Sequence, residues 1–304
     1  GLPAGAAAVR SGARAGTVTC TITWQETLSP ADITAVDAML DRVSLADGVS
    51  SLSEHTYLHI LAGGGSGEDH ALARLDGDIV GYAFLDDGIG ELLVDPAARG
   101  RGIGKDLLAQ LLQRNPRTRI WAHGQLPAAT RLAQGAGFVP VRRLCRYTRS
   151  LTGVPTRNIP TGFTVRAFTD ADADAWLALN AEAFVDLPDQ GGWARADLEQ
   201  RLQQPWFDPQ GFLLAFDDIG LAGFHWTKVH HGSIGEVYVL GVAARARGTG
   251  LGAALTCEGL AHLQGQGLTD VMLYVDTSNA AAVAMYTGLG FERADCDVQF
   301  MPAS

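Results

Sequence analysis

Cysteine is scarce and scattered in this chain. Cys20, Cys145, Cys257 and Cys296 stand alone among 304 residues, with no Cys-x-x-Cys and no Cys/His pair at metal-ligand spacing. That excludes a zinc finger or ribbon and a disulfide framework, and the cysteines read as reduced and in or near the core. The eight histidines form one adjacent pair, His230-His231, beside a turn; no metal site is expected. Apolar runs approaching the ~20 residues of a membrane helix are missing, so no membrane partner is expected. Positive charge is short: 23 Lys and Arg against 33 Asp and Glu give a net charge of −10, which argues against nucleic acid as a partner. Residues 1–16 carry arginine and no acid, lack the apolar bulk of a secretory signal, and read as a disordered tail. A cytoplasmic monomer is the resulting expectation.

What is present is apolar residue, 47% of the chain, in a length that exceeds most single cores. Two domains follow. The most informative stretch is 235–253, Gly-Glu-Val-Tyr-Val-Leu-Gly-Val-Ala-Ala-Arg-Ala-Arg-Gly-Thr-Gly-Leu-Gly-Ala. An apolar strand ends at Val242, an Arg/Gly-rich turn follows, and an Ala/Leu-rich helix begins. Arg247, Gly250 and Gly252 give Arg-x-x-Gly-x-Gly. Such a turn opens a helix with free amides pointing one way, glycines permit close backbone approach, and the helix dipole favours an anion. The turn reads as a diphosphate site.

The elements before and after the turn occur twice. Strand 17–24, a helix begun by Ser29-Pro30, helix 52–61, hairpin 70–75/79–85, strand 91–94, helix 105–112, strand 118–122, helix 127–134 and Gly137-Phe138 make the first half. Residues 151–162, with two prolines and two glycines, read as a linker. Strand 163–168, helices 170–184 and 194–203, hairpin 212–216/221–229, the turn, helix 251–263, strand 271–275, helix 279–288 and Gly290-Phe291 repeat the order. Arg99, Gly102 and Gly104 precede Arg247, Gly250 and Gly252 by 148 positions (99 to 247), and Gly137-Phe138 precedes Gly290-Phe291 by 153 (137 to 290). A near-constant, domain-sized offset marks a tandem duplication. The expected fold is α/β, with domains at 17–150 and 163–304, each a twisted mixed sheet flanked by helices.

Strand, Arg-x-x-Gly-x-Gly turn, helix, strand, helix, Gly-Phe, strand resembles the GNAT acetyltransferase superfamily, here in two copies. Gln190-Gly-Gly-Trp193, Trp206-Phe-Asp-Pro209, Gly223-Phe-His-Trp-Thr-Lys-Val-His230, Gly235-Glu-Val-Tyr-Val-Leu-Gly-Val242, Leu273-Tyr-Val and Trp121-Ala-His-Gly124 are similar to the mycothiol synthase family of actinobacteria. The resemblance covers the chain from about Trp24. It implies acetyl-CoA as co-substrate and the cysteine amine of a cysteinyl-glucosaminyl-inositol as acceptor.

Amine acetylation needs a base for the ammonium, a donor for the oxyanion and a proton for the departing thiolate. Glu236 lies in the strand before the turn, where alternation places it on one face with Tyr238 and Leu240. A carboxylate in an apolar strand is costly unless used or paired; the ordinary alternative is a strand-end carboxylate in solvent. The resemblance makes Glu236 the general base, acting through water, and Tyr286 the acid, against the alternative of an amphipathic-helix tyrosine. Five residues before Phe138 stands Ala133, and Glu91 is out of register with Glu236. The first copy is therefore expected to be non-catalytic.

The resemblance also implies substrate contacts from Lys228, Tyr274, Asp189 and, in the first half, Glu54, which would place the substrate between the domains. For isolated charges the usual reading is a solvated surface. Asp189 stands where the family has the longer Glu. Amides of Leu240, Gly241 and Val242 are expected against pantetheine, and those of Arg247, Gly248, Thr249, Gly250, Leu251, Gly252 and Ala253 against pyrophosphate, with Asn279 at the pantetheine arm or acting as a plain N-cap. The first-half equivalents are Leu92, Leu93, Val94, Gly100, Arg101, Gly102, Ile103, Gly104 and Lys105, for a second acetyl-CoA or as a decayed turn. Other readings are a tandem GNAT enzyme acting on an aminoglycoside or a peptide N-terminus, and a non-catalytic acyl-CoA sensor.

Overall fold

The computed structural model describes residues 20–65, 67, 69–230 and 234–303, without the side chains of 188 and 189. The tail expected at 1–16 lies outside the described residues. No described helix is long and apolar enough to cross a membrane.

The chain folds as two compact units, Gly1–Leu144 with Asp295–Ser304, and Cys145–Ala294. In order, the first elements are β1 (Thr21–Gln25), α1 (Pro30–Asp47), α2 (Glu54–Ala62), β2 (Asp69–Leu75), β3 (Asp78–Asp86), β4 (Ile89–Val94), α3 (Ile103–Arg114), β5 (Arg119–Ala122), α4 (Pro127–Gly135) and β6 (Phe138–Ser150). Then come β7 (Thr164–Ala167), α5 (Ala173–Ala183), α6 (Pro188–Gly191), α7 (Arg195–Leu202), β8 (Phe212–Phe216), β9 (Leu221–His230), β10 (Ile234–Val242), α8 (Leu251–Gly265), β11 (Asp270–Asp276), α9 (Ala280–Gly288) and β12 (Glu292–Pro302).

Local chemistry sets these boundaries. Ser29 caps α1 by accepting the Asp32 N–H, Pro30 occupies its first turn, and Gly48 at φ 72° ends it. The stripe Val36, Met39, Leu40 and Val43 is buried, as helical spacing requires. Asp76 and Gly77, at φ 54° and 96°, turn β2 into β3.

In the first unit β1, β2, β3 and β4 pair antiparallel, and β4 pairs parallel with β5. In the second, β7, β8, β9 and β10 pair antiparallel, and β10 pairs parallel with β11. Each sheet is mixed and each has helices on both faces. In the first unit α1 packs with Tyr82 and Phe84 on one face, and α3 with Ala71, Ala73 and Ala83 on the other. In the second, one face is aromatic: Phe212 stacks on Trp226 at 4.2 Å and on Phe168 at 4.4 Å, with Trp176 edge-on.

The units depart from the division expected at 151–162. Val298, Gln299 and Phe300 of β12 pair with Ala122, Trp121 and Ile120 of β5, so the end of the chain returns to the first unit. Leu151 donates its N–H to the Thr269 carbonyl at 2.8 Å and accepts from Gln264, so the proline-containing stretch begins docked on the second unit. Cys20 and Cys257 are free thiols, as expected, but Cys145 and Cys296 are disulfide-bonded.

Candidate active site

Both copies build the same turn. Gly100 and Gly102 sit at φ 77° and 88°, and Gly248 and Gly250 at 76° and 88°. A Cβ on any of the four would meet nothing within 4 Å, so glycine is needed there for its left-handed backbone. Gly102 and Gly250 are the N-cap residues of α3 and α8, and neither helix has a side-chain cap bond at that position. The first intrahelical amides are those of Asp106 and Ala254, which leaves the preceding ones facing outward. Thr249 Oγ1 takes the Leu251 N–H at 3.3 Å. Free amides at a positive helix end are the kind of group that receives an anion.

The strand before each turn diverges from its parallel neighbour. The β10–β11 ladder runs from Ile234 to Val237 and stops, leaving the β11 side of Leu240, Gly241 and Val242 outside it. The β4–β5 ladder holds only Ile89 and Gly90, leaving Leu92, Leu93 and Val94 likewise. An open strand edge beside an open helix end suits an amide-bearing arm followed by a diphosphate. Gly241 is glycine for a packing reason, since a Cβ there would run into the Phe224 ring. A Cβ on Gly252 would touch Val242 and Met285 at 3.5 and 3.6 Å; on Gly104 it would touch Val94 and Leu132, both at 3.6 Å. Strand end, turn and following helix therefore meet identically in the two copies.

The copies then part. In β10 the register with β9 shifts between Val237 and Val239, a bulge at Tyr238. Glu236 pairs with Lys228, whose ammonium lies 4.8 Å over Trp206 and 5.1 Å over Tyr238. Tyr238 and Val239 both join the aromatic cluster, whereas Leu240 and Val242 pack on the α8 side. The bulge thus corrects simple alternation: Glu236 and Tyr238 share a face, and Leu240 leaves it.

Glu236 is 7% exposed, not solvated, and its Oε2 lies 2.6 Å from His230 Nε2. Lys228 is 9% exposed. Two side chains not singled out from sequence complete this face. His230 lies two residues beyond Lys228; its sequence signals were the histidine pair and its place at the end of the Gly223–His230 segment, neither of which assigned it a role. Arg201 of α7 is buried, stacks 3.9 Å over Trp193 and donates Nε–H to Tyr238 Oη at 2.8 Å. Its position on a polar helix gave no signal.

Tyr286 is buried on α9, edge-on to Phe291 at 5.7 Å, and burial pushes its phenol well above the usual range. It follows Met285, the residue that meets the turn, and corresponds to Ala133 after Leu132. Asn279 Oδ1 caps α9 by accepting the Ala282 N–H at 3.0 Å. Tyr274 is exposed on β11 between buried Leu273 and Val275. Arg247 is exposed, with no ion pair among the described residues, whereas Arg99 makes a two-pronged pair with Asp47 at 2.7 and 2.8 Å. Glu54 opens α2 of the first unit and is half-buried. Asp189 lies in α6, its side chain outside what is described.

By strand pairing, Gly81 opposite Val94 matches Gly223 opposite Val242. Asp86 then occupies the Lys228 position and Ile89 the Glu236 position; Ile89 pairs with Arg119 in β5 as Glu236 pairs with Met272 in β11. The β3–β4 ladder has no bulge. Glu91 is spent elsewhere. It is buried, accepts from the Ser53 N–H and lies 3.0 Å from His123 Nε2, while His123 Nδ1 lies 3.0 Å from Asp297. Burial disfavours the His123 imidazolium, but the bonds and charges of Asp297 and Glu91 outweigh it and raise His123 to about 10. Burial likewise opposes the Glu91 carboxylate, yet His123, Thr56 and the Ser53 amide hold it below the usual carboxylate range.

Comparison with known proteins agrees with this geometry. The model of the acetyltransferase (GNAT) family matches residues 174–291, and that of an acetyltransferase (GNAT) domain matches 66–140. A tandem GNAT protein from the clavulanic acid biosynthesis pathway superposes with a TM-score of 0.68 at 19% identity, over 93% of this chain and 100% of that one. A GCN5-related N-acetyltransferase from Sphaerobacter thermophilus gives 0.65 at 24%, over 92% and 95%. These likenesses show the fold, and with the two family matches they define a tandem GNAT acetyltransferase, an acyltransferase that uses acetyl-CoA. The mycothiol acetyltransferase of Thermobispora bispora is 49% identical over 90% of this chain and 96% of its own, and that of Geodermatophilus obscurus 45% over 91% and 96%. The chain belongs to the mycothiol acetyltransferase family.

Proposed function

We propose that the second unit transfers acetyl from acetyl-CoA to the cysteine amine of a cysteinyl-glucosaminyl-inositol, the step that completes mycothiol. The observation that carries the assignment to this unit is the contrast between the copies. Both keep the diphosphate turn and the diverging strand, but only the second places a carboxylate, Glu236, opposite Lys228 and has a phenol, Tyr286, next in sequence to Met285, the residue that meets the turn.

Glu236 takes a proton from the ammonium through water, which frees the nitrogen lone pair for attack. The open edge of Leu240, Gly241 and Val242 donates to the pantetheine arm and to the carbonyl oxygen as it gains charge. Arg247, Gly248, Thr249, Gly250, Leu251, Gly252 and Ala253 hold the pyrophosphate, and Asn279 borders the arm. Tyr286, kept protonated by burial, donates its proton to the departing thiolate and regains one from the attacking nitrogen, which sheds its second proton as the amide forms. Lys228, Tyr274, Asp189 and Glu54 bind the polyol and the aminoacyl group. The first unit holds a second acetyl-CoA at Leu92, Leu93, Val94, Gly100, Arg101, Gly102, Ile103, Gly104 and Lys105 and does no chemistry, for it has Ile89 and Ala133 at the acid–base positions. Use of acetyl-CoA supports a cytoplasmic location, and we take the monomer as the working form.

The test is thiol release from acetyl-CoA with a panel of amines: the cysteinyl pseudodisaccharide, an aminoglycoside and a peptide N-terminus. The expected result is turnover with the first alone. Turnover with either of the others at equal kcat/KM would displace this reading.

A further inference from the structure

We propose that His230 is the exit through which Glu236 returns its proton to solvent, a positioning residue for the acetyl transfer described above; the inference rests on that reading. Acetyl transfer from a thioester to an ammonium forms an amide N–C bond, breaks the C–S bond, and yields amide, thiol and one surplus proton. A base used in every turnover must therefore be emptied in every turnover. Glu236 is poorly placed to empty itself: its side chain is 9% exposed, and His230 is its one hydrogen-bond partner among the described residues. His230 bridges the burial boundary, with 32% of its side chain exposed and its Nε2 2.6 Å from Oε2.

The neighbouring groups cannot substitute. Lys228, opposite Glu236 on β9, is an ammonium without a lone pair, held over Trp206 and Tyr238. Arg201 of α7 is a guanidinium that donates to Tyr238 Oη. Among the described side chains of this face, the His230 imidazole can accept a proton at Nε2 in its Nδ1–H tautomer and pass one on from the other nitrogen. The substrate N–H bond breaks and its proton goes to a Glu236 oxygen. The resulting O–H bond breaks as Nε2–H forms on neutral His230. The Nδ1–H of the imidazolium then goes to bulk water, and the tautomer resets by exchange with solvent. One proton leaves per amide formed, and Glu236 is again a carboxylate. The first unit needs no such exit: Ile89 stands in the Glu236 position.

The experiment uses the full chain with acetyl-CoA and the cysteinyl pseudodisaccharide, and compares His230→Ala, His230→Gln and Glu236→Gln. His230→Ala is expected to lower kcat roughly 10–100-fold, with KM for acetyl-CoA little changed. Added imidazole is expected to restore part of that loss in His230→Ala and none in Glu236→Gln. His230→Gln keeps a donor toward Oε2 but cannot carry a proton, and is expected to stay low. Full kcat in His230→Ala, full recovery in His230→Gln, or low activity in His230→Ala that ignores imidazole would each overturn the proposal. Full activity in Glu236→Gln would instead sink the assignment of the base itself. Tryptophan fluorescence, reporting Trp206 and Trp226, checks that each variant is folded.

Discussion

Glu236 of the second copy and Ile89 of the first occupy the same register. Each pairs parallel with the equivalent residue of the next strand, Met272 or Arg119, and antiparallel with the equivalent of the last, Lys228 or Asp86. The duplicated scaffold therefore presents one position twice, once as a carboxylate and once as a hydrocarbon. The bulge at Tyr238 adds a further difference, since it turns Val239 to the face that holds Glu236 and Tyr238 and sends Leu240 to the other. The turns have stayed alike to within a degree in φ at their two leading glycines, while the strands and helices around them have diverged.

The acid–base assignment predicts a specific kinetic pattern. Glu236→Gln and Tyr286→Phe should each lower kcat by roughly 10²–10⁴ while acetyl-CoA still binds. Glu236→Gln is isosteric and Tyr286→Phe removes only the hydroxyl, so ring packing against Phe291 persists. Burial raises the Tyr286 phenol, so its loss of a proton should impose no basic limb on the rate below about pH 10. Steady-state rates across pH, with acetyl-CoA binding measured by calorimetry, check both statements.

The two turns should separate binding from chemistry. Gly102→Val and Gly250→Val each force a branched side chain into a backbone at φ 88°, where the surrounding space is open and strain is the whole effect. Gly250→Val should abolish turnover. Gly102→Val should leave turnover near wild type and reduce acetyl-CoA stoichiometry from two per chain to one. Loss of turnover in a folded Gly102→Val protein would contradict a non-catalytic first unit.

The buried Glu91–His123–Asp297 cluster should show as pH-dependent stability of the first unit. His123 is raised from 6.5 to about 10 in the fold, so the folded state holds this proton more tightly than the unfolded chain. The stabilisation is complete below 6.5 and is lost as pH rises toward 10. His123→Ala leaves two buried carboxylates without their cation and should cost about 3–5 kcal/mol at neutral pH. Thermal unfolding from pH 6 to 10 should fall for the wild type and be flatter for the variant.

Periodicity and turn chemistry made most elements readable from sequence. Ser29-Pro30 announced α1, Asp76-Gly77 the hairpin, and the glycine turns the starts of α3 and α8. What escaped depends on pairings that leave no local trace. A bulge at Tyr238 changes which face Leu240 occupies without altering composition. The return of Val298–Phe300 to β5 is a choice of partner strand, and hydrophobic alternation is silent on partners. His230 stood in view as half of a histidine pair, but its link to Glu236 needs the register that pairs Ile234 with His230. Arg201 sits on a helix of mostly polar residues, and the aromatic cluster beneath it, not its local sequence, accounts for its burial.

One packing exchange between the copies gives a prediction about acid stability. By the helix offset of 148 positions (103 to 251), Leu111 of α3 corresponds to Gly259 of α8, and by strand pairing Ala83 corresponds to His225. The first copy fills the sheet–helix space from the helix with Leu111, the second from the sheet with His225, and a Cβ on Gly259 would fall within the imidazole ring. Neither ring nitrogen of His225 has a partner among the described residues, and burial, with the His262 charge, lowers it from 6.5 to about 3. The unfolded chain therefore takes up a proton near 6.5 that the folded chain refuses until about 3, so this site costs stability progressively as pH falls from 6.5 toward 3. Gly259→Leu alone should overpack the site and destabilise by at least about 1–3 kcal/mol. His225→Ala alone opens a cavity. The double change His225→Ala with Gly259→Leu rebuilds the first copy's packing, and should recover most of the loss at pH 7 and exceed the wild type in stability at pH 5. Urea unfolding at the two pH values measures this, and a double variant as acid-labile as the wild type would show that the buried imidazole is not the source.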